Sequence, residues 1–240
     1  MKLLRSLLTV VFALTILFLM SVVQSDELFI QHTVDVQQHN LRLYWKNDQG
    51  KPYGSLGRLR AELRKQGMEL TFAMNGGMYM TDQRPLGLYI ENGKELAPIN
   101  KVTNAHGNFY LQPNGVFYWK NNGAAGISVT QDFKDDGVKY ATQSGPMLIT
   151  KGVINPLFGK NSPNLHVRNG VGILSDGKVI FAMSKEKVTF YQLASFFKSK
   201  GCENALYLDG FVSRTYLPEK NWVQADGQFG VIIGQTTGQQ

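Results

Sequence analysis

The chain has 240 residues, of which 43% are hydrophobic and 18% charged, with 25 glycines, 8 prolines and one cysteine. This composition is typical of a folded globular protein and excludes a disordered or collagen-like chain, while the single Cys202 excludes an internal disulfide. The formal net charge is +7, but the basic residues are scattered along the chain and form no long run. We therefore predict no nucleic-acid binding.

The amino terminus has the pattern of a secretory leader. Lys2 and Arg5 precede the apolar run from Leu7 to Met20, and Ser25 suits a cleavage site. The run is shorter than the ~20 residues of a spanning helix, although the residues after it extend it, so an uncleaved membrane anchor stays the alternative. We predict a signal peptide or anchor over residues 1–25, a domain over 26–240, and a periplasmic or secreted location, because the absence of paired cysteines fits a bacterial envelope.

Three turn dipeptides predict β-hairpins. Asn92-Gly93, Asn114-Gly115 and Asp176-Gly177 each lie between apolar runs. Such pairs suit two-residue type I′ turns, because both turn positions need positive φ. The sequence therefore predicts at least three hairpins.

Two segments have helical periodicity. Residues Ser55 to Gln66 carry leucines on one face and stop before Gly67. Thr189 to Lys200 opens with a capping box formed with Gln192 and stops before Gly201. With no repeat and no linker, the fold class predicted is α+β: a single domain with a mixed or antiparallel β-sheet, rich in hairpins, with two or more helices packed on it.

Several well-known site motifs are missing from the sequence. It has neither a G-x-G-x-x-G dinucleotide loop nor a G-x-S-x-G nucleophile elbow. Its histidines have no zinc-binding spacing and lie far apart, at His32, His39, His106 and His166. We therefore expect no cofactor and no zinc site, and a divalent cation stays an open alternative.

Polar residues follow an apolar strand at Asn75-Gly76-Gly77. An Asn at a strand end, followed by two glycines, can present its amide and two unshielded backbone N–H groups to one anionic ligand. A plain glycine-rich turn would have the same sequence.

Two further strand ends carry candidate binding groups. Ser144 and Gly145 precede a strand that cannot start before Pro146, and Arg168 stands directly before a strand with glycines at alternate positions. An Arg offers planar, bidentate recognition of phosphate or carboxylate.

The strongest candidate is Asp209. The apolar strand from Asn204 to Leu208 follows the second predicted helix and ends in this carboxylate, with Gly210 and Ser213 beyond it. Because a carboxylate is costly to bury, we expect Asp209 to lie in a polar rim and to be the catalytic carboxylate.

Taken together and in this order, these segments resemble the phosphodiester glycosidase family over about residues 68 to 235. The resemblance implies cleavage of the bond between a sugar anomeric carbon and a phosphodiester oxygen, which releases free sugar and a phosphomonoester. Ordinary glycosidases use two carboxylates. Because a phosphate ester is already a good leaving group, one carboxylate with cationic and backbone donors can suffice.

The resemblance implies a role for each candidate. Asp209 would act as base, nucleophile or stabiliser of oxocarbenium charge, Arg168 as phosphate clamp and Lys185 as a second cation, with Glu186 as a further carboxylate. Substrate would be bound by residues of three segments: Asn75, Gly76, Gly77, Ser144, Gly145, Gly210 and Ser213. Three aromatic residues are candidates to stack on a sugar ring: Tyr79, Phe109 and Tyr216. The partner implied is a phosphate-linked glycan or sugar-1-phosphodiester.

Two alternatives stay open. The family's last motif resembles Leu-Asp-Gly-Gly-Gly-Ser, whereas this chain has Phe211 and Val212 in place of two glycines, which narrows the backbone conformations allowed there. A glycan-binding module without turnover is therefore one alternative. The other is a metal-dependent phosphodiesterase that breaks the P–O bond, with Asp209 holding Mg²⁺ or Ca²⁺.

Overall fold

The computed structural model describes residues 27–210 and 212–238. The two helices of this part are α1 (Leu56–Lys65) and α2 (Phe190–Ser199). The first strands are β1 (Phe29–Val34), β2 (Asn40–Tyr44), β3 (Met68–Asn75), β4 (Tyr89–Glu91), β5 (Lys94–Ala97), β6 (Gly115–Lys120), β7 (Ala125–Val129) and β8 (Val138–Ser144). The later strands are β9 (Met147–Thr150), β10 (Val153–Ile154), β11 (Asn169–Ile173), β12 (Val179–Ser184), β13 (Asn204–Tyr207), β14 (Thr215–Leu217), β15 (Trp222–Val223) and β16 (Ile232–Gly238).

The strands form three antiparallel sheets. Sheet A has six strands in the order β1-β12-β11-β13-β9-β10, sheet B has five in the order β15-β14-β3-β16-β2, and sheet C has five in the order β5-β4-β8-β6-β7. The predicted α+β class is confirmed, and the strands are divided among three antiparallel sheets.

One apolar core joins the three sheets. Phe72 of β3, Phe117 of β6 and Phe181 of β12 are fully buried in it. The ring centroids of Phe72 and Phe181 are 5.2 Å apart, and those of Phe117 and Phe181 are 5.7 Å apart. Aromatic contacts of this kind add to the stabilisation from area burial, so the sheets are fixed against one another at this point.

Both predicted helices are confirmed, with their caps. The Ser55 hydroxyl accepts a hydrogen bond from the Arg58 N–H, and Gly67 follows α1 at positive φ. Thr189 and Gln192 form the predicted capping box of α2, and Gly201 follows at positive φ. The apolar face of α1 packs on sheet B, and that of α2 packs on sheet A.

The hairpin predictions are confirmed in part. Asn92-Gly93 joins β4 to β5 with both residues at positive φ, as a type I′ turn requires. Asp176-Gly177 joins β11 to β12, but only Gly177 has positive φ, so the turn is a longer one. The Asn114-Gly115 prediction is wrong: Asn114 is buried with its side chain bound to the Phe109 carbonyl, and Gly115 begins β6. Pairing with Val129 and Ser144 decides the conformation there, overriding the turn preference.

Among the described residues, no helix is long and apolar enough to cross a membrane. The predicted leader over residues 1–25 lies outside them.

Candidate functional site

Strands from all three sheets end beside the segment Leu208–Asp209. β3 of sheet B ends at Asn75, β8 of sheet C ends at Ser144, and β13 of sheet A ends at Tyr207. Asn75 and Ser144 are buried, whereas Asp209 is partly exposed. The fourth segment that the sequence singles out joins them, because the Leu208 N–H donates to the carbonyl of Asn169, next to Arg168, at 3.3 Å. The structure thus brings all four segments together, with a carboxylate at their junction.

The Asn75 side chain connects the end of β3 to both sides of this segment. Its Nδ2 donates to the Asp209 carbonyl at 2.6 Å, and its Oδ1 accepts from the Arg214 N–H at 2.9 Å. Asn169 at the start of β11 donates its own Nδ2 to the Asn75 carbonyl at 2.9 Å and to Oδ1 at 3.1 Å. The amide predicted to bind a ligand therefore fixes the position of Asp209.

Ser144 and Ser213 also contact this backbone. The Ser144 hydroxyl donates to the Leu208 carbonyl at 2.8 Å, and the Ser213 hydroxyl lies 3.4 Å from the Val167 carbonyl and 3.5 Å from the Asp209 carbonyl. Both side chains are buried. Their contacts support a role in holding the segment, and direct binding of a sugar or phosphate by either hydroxyl stays a prediction.

The glycines of the site are required by close packing. A Cβ at Gly77 would lie 2.2 Å from Thr142 Oγ1 and 2.6 Å from the Gln143 carbonyl, and a Cβ at Gly145 would lie 2.9 Å from the Phe109 carbonyl. The Gly76 N–H donates to the Val231 carbonyl at 2.8 Å. Of the two amides predicted to face an anion, only that of Gly77 can therefore serve a ligand.

Arg168 is fully buried, and protein atoms surround its guanidinium. Nε donates to the Val188 carbonyl at 2.9 Å, Nη1 to the Tyr207 hydroxyl at 3.2 Å, and Nη2 to the carbonyl and Oδ1 of Asn164 at 3.0 and 2.7 Å. Four of its five N–H donors are thus used. A direct phosphate clamp would have to break one of these bonds or use the last donor, and the contacts favour a positioning role.

The charge of Arg168 has no carboxylate partner among the described residues. Its guanidinium lies 3.7 Å from the ring centroid of Phe190, and burial lowers its pKa from the ordinary value. A buried cation of this kind attracts an anion placed near the site.

Tyr207 connects Arg168 to the segment that carries Asp209. Its hydroxyl accepts a hydrogen bond from Arg168 and lies against the backbone of Gly210. A Cβ at residue 210 would lie 1.8 Å from that oxygen, so only glycine fits there. Burial is the main cause that raises the pKa of Tyr207 to about 12, and the charge of Asp209 adds to it, so the hydroxyl stays protonated at neutral pH.

Tyr79 is the one predicted stacking residue that is not buried. Burial is the main cause that raises the pKa of the Tyr79 hydroxyl to about 12, and the charge of Asp209 adds to it. Phe109 and Tyr216 are buried, so the prediction that they stack on a sugar is wrong: both belong to the packed interior.

Lys185 and Glu186 are exposed residues that follow β12. The Lys185 N–H donates to the Leu28 carbonyl at 2.9 Å, which places it at the same end of sheet A as Arg168. Their roles as second cation and second carboxylate stay predictions.

Val212, one of the residues that replace family glycines, is partly buried and packs against the apolar cluster under α1. Its side chain therefore belongs to the packing of sheet B. Phe211 lies outside the described residues.

The sequence interpretation misses three residues of the site: Asn169, Tyr207 and Arg214. Asn169 was detectable as a polar residue at the start of an apolar strand, whereas Tyr207 looks like a core residue in its sequence. Arg214 forms an exposed ion pair with Asp226, its Nε lying 2.8 Å from Oδ1.

The part of the chain that the structure describes has no cluster of three or more His, Cys, Asp or Glu side chains able to hold a metal ion. The metal-dependent alternative therefore finds no ligand set there.

The sequence profile of phosphodiester glycosidases matches residues 68–232, which include every segment of this site. The chain belongs to the phosphodiester glycosidase family. It is 39% identical over 214 residues to YigE of Escherichia coli (strain K12), and the match covers 85% of this chain and 83% of that protein.

Two solved structures share the fold of this phosphodiester glycosidase family member. The catalytic domain of zebrafish N-acetylglucosamine-1-phosphodiester alpha-N-acetylglucosaminidase, auto-inhibited by its pro-peptide, superposes with a TM-score of 0.57 at 15% identity, covering 86% of this chain and 82% of that one. A hypothetical protein from Synechocystis superposes with a TM-score of 0.52 at 14% identity, covering 87% and 59% of the two chains. At these low sequence identities, the structural similarity shows a shared fold and nothing more.

Substitutions of Asn75 test whether this side chain holds the Leu208–Asp209 segment in place. Asn75→Ala leaves the Arg214 N–H and the Asp209 carbonyl without their partner, so we expect a loss of about 2–3 kcal/mol in the free energy of unfolding, measured with urea at pH 7. Asn75→Asp replaces the donor with a carboxylate oxygen. The loss in the free energy of unfolding of Asn75→Asp should become smaller as pH falls, because a protonated carboxyl can again donate to the Asp209 carbonyl. Unchanged stability of both variants at pH 7 would contradict this role.

Tyr207→Phe tests the connection from Arg168 to Gly210. It removes the acceptor of the Arg168 hydrogen bond and the oxygen that packs against Gly210, so we expect kcat to fall about 10–100-fold, as for a misplaced catalytic group, while KM changes little. Tyr140→Phe is a matched control, because this buried tyrosine donates to Asn92 Oδ1 at 2.5 Å on the β4–β5 hairpin. Equal activity of the two variants would show that Tyr207 only supports the fold.

Proposed function

We propose that this protein hydrolyses the glycosidic bond of a sugar-1-phosphodiester. Water adds at the anomeric carbon, the C–O bond to phosphate breaks, and the products are the free sugar and a phosphomonoester. The observation that carries this proposal is the partly exposed Asp209, which hydrogen bonds from buried side chains of sheets B and C hold at the end of a strand of sheet A. Membership in the phosphodiester glycosidase family supports the same reaction class.

Asp209 acts on the anomeric carbon in this proposal. A carboxylate there can take a proton from the attacking water, attack the carbon itself, or stabilise the positive charge that develops on the ring. Each role requires an ionised carboxylate with a fixed direction, and the bonds from Asn75 and Ser144 to the backbone of Leu208–Asp209 supply that fixed direction.

The phosphate is attracted by charge. Arg168 contributes a positive charge that no described carboxylate neutralises, and the exposed Lys185 lies at the same end of sheet A. A buried charge of this kind acts over several ångströms without direct contact. Because the phosphate leaves readily, the reaction needs little help from a general acid.

The sugar would meet polar groups of the same site. Asn169 Oδ1 is buried and has no hydrogen-bond partner among the described residues, so a hydroxyl group or a water can satisfy it. Tyr79 presents a partly exposed ring near Asp209, suited to stack on a sugar. We place the reaction in the periplasm or outside the cell, because residues 1–25 have the pattern of a secretory leader.

Isotope labelling tests this function. The purified protein is incubated in H₂¹⁸O with a panel of sugar-1-phosphodiesters that includes UDP-N-acetylglucosamine, with and without EDTA, and the products are analysed by mass spectrometry. We expect ¹⁸O in the released sugar with or without EDTA, and a loss of about 10²–10⁴-fold in kcat for Asp209→Asn. Asp176→Asn, on the exposed β11–β12 turn at the other end of sheet A, should keep full activity.

Other outcomes identify the alternatives. Label in the phosphate, lost with EDTA, would contradict the proposal and indicate a metal-dependent phosphodiesterase. Binding of sugar phosphates without turnover, unchanged in Asp209→Asn, would contradict it in favour of a glycan-binding module.

A further inference from the structure

A cavity lies beside the hairpin of residues 78–86, on the side that carries Met80 and Arg84. It has a volume of about 560 Å³, and its lining includes Trp45, Met80, Leu96 and Val102. We call it the outer pocket. Its size is in the range of sites that hold small molecules or parts of them.

The outer pocket is rimmed by exposed apolar side chains. Met80 is 37% exposed, Leu96 41% and Val102 53%. Single exposed hydrophobic residues are ordinary, but a group of them around one cavity marks a surface that binds an apolar ligand.

The charges around the outer pocket are positive. Arg84 and Lys101 belong to its lining, which contains no Asp or Glu. Arg84 pairs with Asp82 at 3.2 Å, but both are 62% exposed, so this pair is weak. Lys46 lies 3.9 Å from the ring centroid of Trp45 and adds a third cation. Apolar walls with a cationic rim suit an aliphatic chain joined to an anionic group.

The hairpin separates the outer pocket from Asp209. The Met80 N–H donates to the Arg84 carbonyl at 2.8 Å, and the Leu86 N–H donates to the Met78 carbonyl at 2.9 Å. Successive residues of an extended segment point to opposite sides. Met80 lines the outer pocket, whereas the preceding Tyr79 is close enough to Asp209 for its pKa to respond to that charge.

The floor of the outer pocket is also tied to the site. Asn100 in the lining donates its N–H to Gln143 Oε1 at 2.8 Å, and Gln143 Nε2 donates to the Asn100 carbonyl at 2.6 Å. The next residue is Ser144, whose hydroxyl donates to the Leu208 carbonyl. Hydrogen bonds therefore connect the floor of the outer pocket to the end of β8, which in turn contacts the Leu208–Asp209 backbone.

From this geometry we propose that the outer pocket binds the aliphatic chain of an amphiphilic aglycone. The substrate would be a sugar-1-phosphodiester whose phosphate also carries a lipid-like chain, which crosses the Tyr79 hairpin and packs against Met80, Leu96 and Val102. This inference rests on the proposed function and names its substrate class.

The test compares two esters of the same sugar-1-phosphate, methyl and n-octyl, with the full chain. We expect kcat/KM for the octyl ester to exceed that for the methyl ester by about 10–100-fold, from partial burial of the chain. Leu96→Ser combined with Val102→Ser should reduce this preference to about 3-fold or less and leave methyl-ester turnover unchanged. Val153→Ser, a change of similar kind at a residue 65% exposed in the edge strand β10, should leave the preference intact.

The possible outcomes test ligand binding in the outer pocket independently of the proposed hydrolysis. Equal kcat/KM for the two esters would overturn it while the proposed function stands. If neither ester is hydrolysed, the Kd of n-octyl phosphate is compared with that of inorganic phosphate by calorimetry. Tighter binding of n-octyl phosphate, lost in the double variant, would support the outer pocket. Equal Kd values for the two ligands would overturn the proposal. Binding to phosphatidylglycerol vesicles without any ester preference would assign the surface to a membrane and also overturn it.

Discussion

Hydrogen bonding of the Leu208–Asp209 backbone by buried side chains is the constraint on which the site depends. Asn75 of sheet B and Ser144 of sheet C can be buried only because each finds a partner, and the partner is the segment at the end of β13 in sheet A. The same bonds therefore connect the three sheets and direct the carboxylate. Disturbing any of the three sheets at this junction would move Asp209.

Binding and positioning are divided between different residues. Arg168 has the chemistry of a phosphate clamp, yet its donors hold Tyr207, Asn164 and the Val188 carbonyl. The Tyr207 hydroxyl in turn packs against Gly210. The effect of Arg168 on an anion is electrostatic, while its hydrogen bonds stabilise the site. The partly exposed residues of the site, Asp209 and Tyr79, lie outward of this buried layer.

Much of this architecture could be predicted from the sequence. Both helices have caps that are local signals, and the strand-end segments of the site carry polar residues where apolar runs stop. The direction of each polar side chain could not be predicted, because it depends on which strand of another sheet ends beside it. For that reason the sequence predicted that Asn75 and Ser144 bind substrate, and Tyr207 resembled a residue of the hydrophobic core. At Asn114-Gly115 the sheet pairing overrides a local turn preference.

The most direct measurement is a crystal structure of the protein with a non-hydrolysable C-glycosidic phosphonate analogue of a sugar-1-phosphodiester. We expect the Asp209 carboxylate to face the anomeric carbon, directly or through one water, with the Asn75 and Ser144 bonds to the Leu208–Asp209 backbone intact. Arg168 should keep its bonds to Tyr207 and Asn164. A phosphonate bound by the Arg168 guanidinium, with the anomeric carbon turned away from Asp209, would contradict the account.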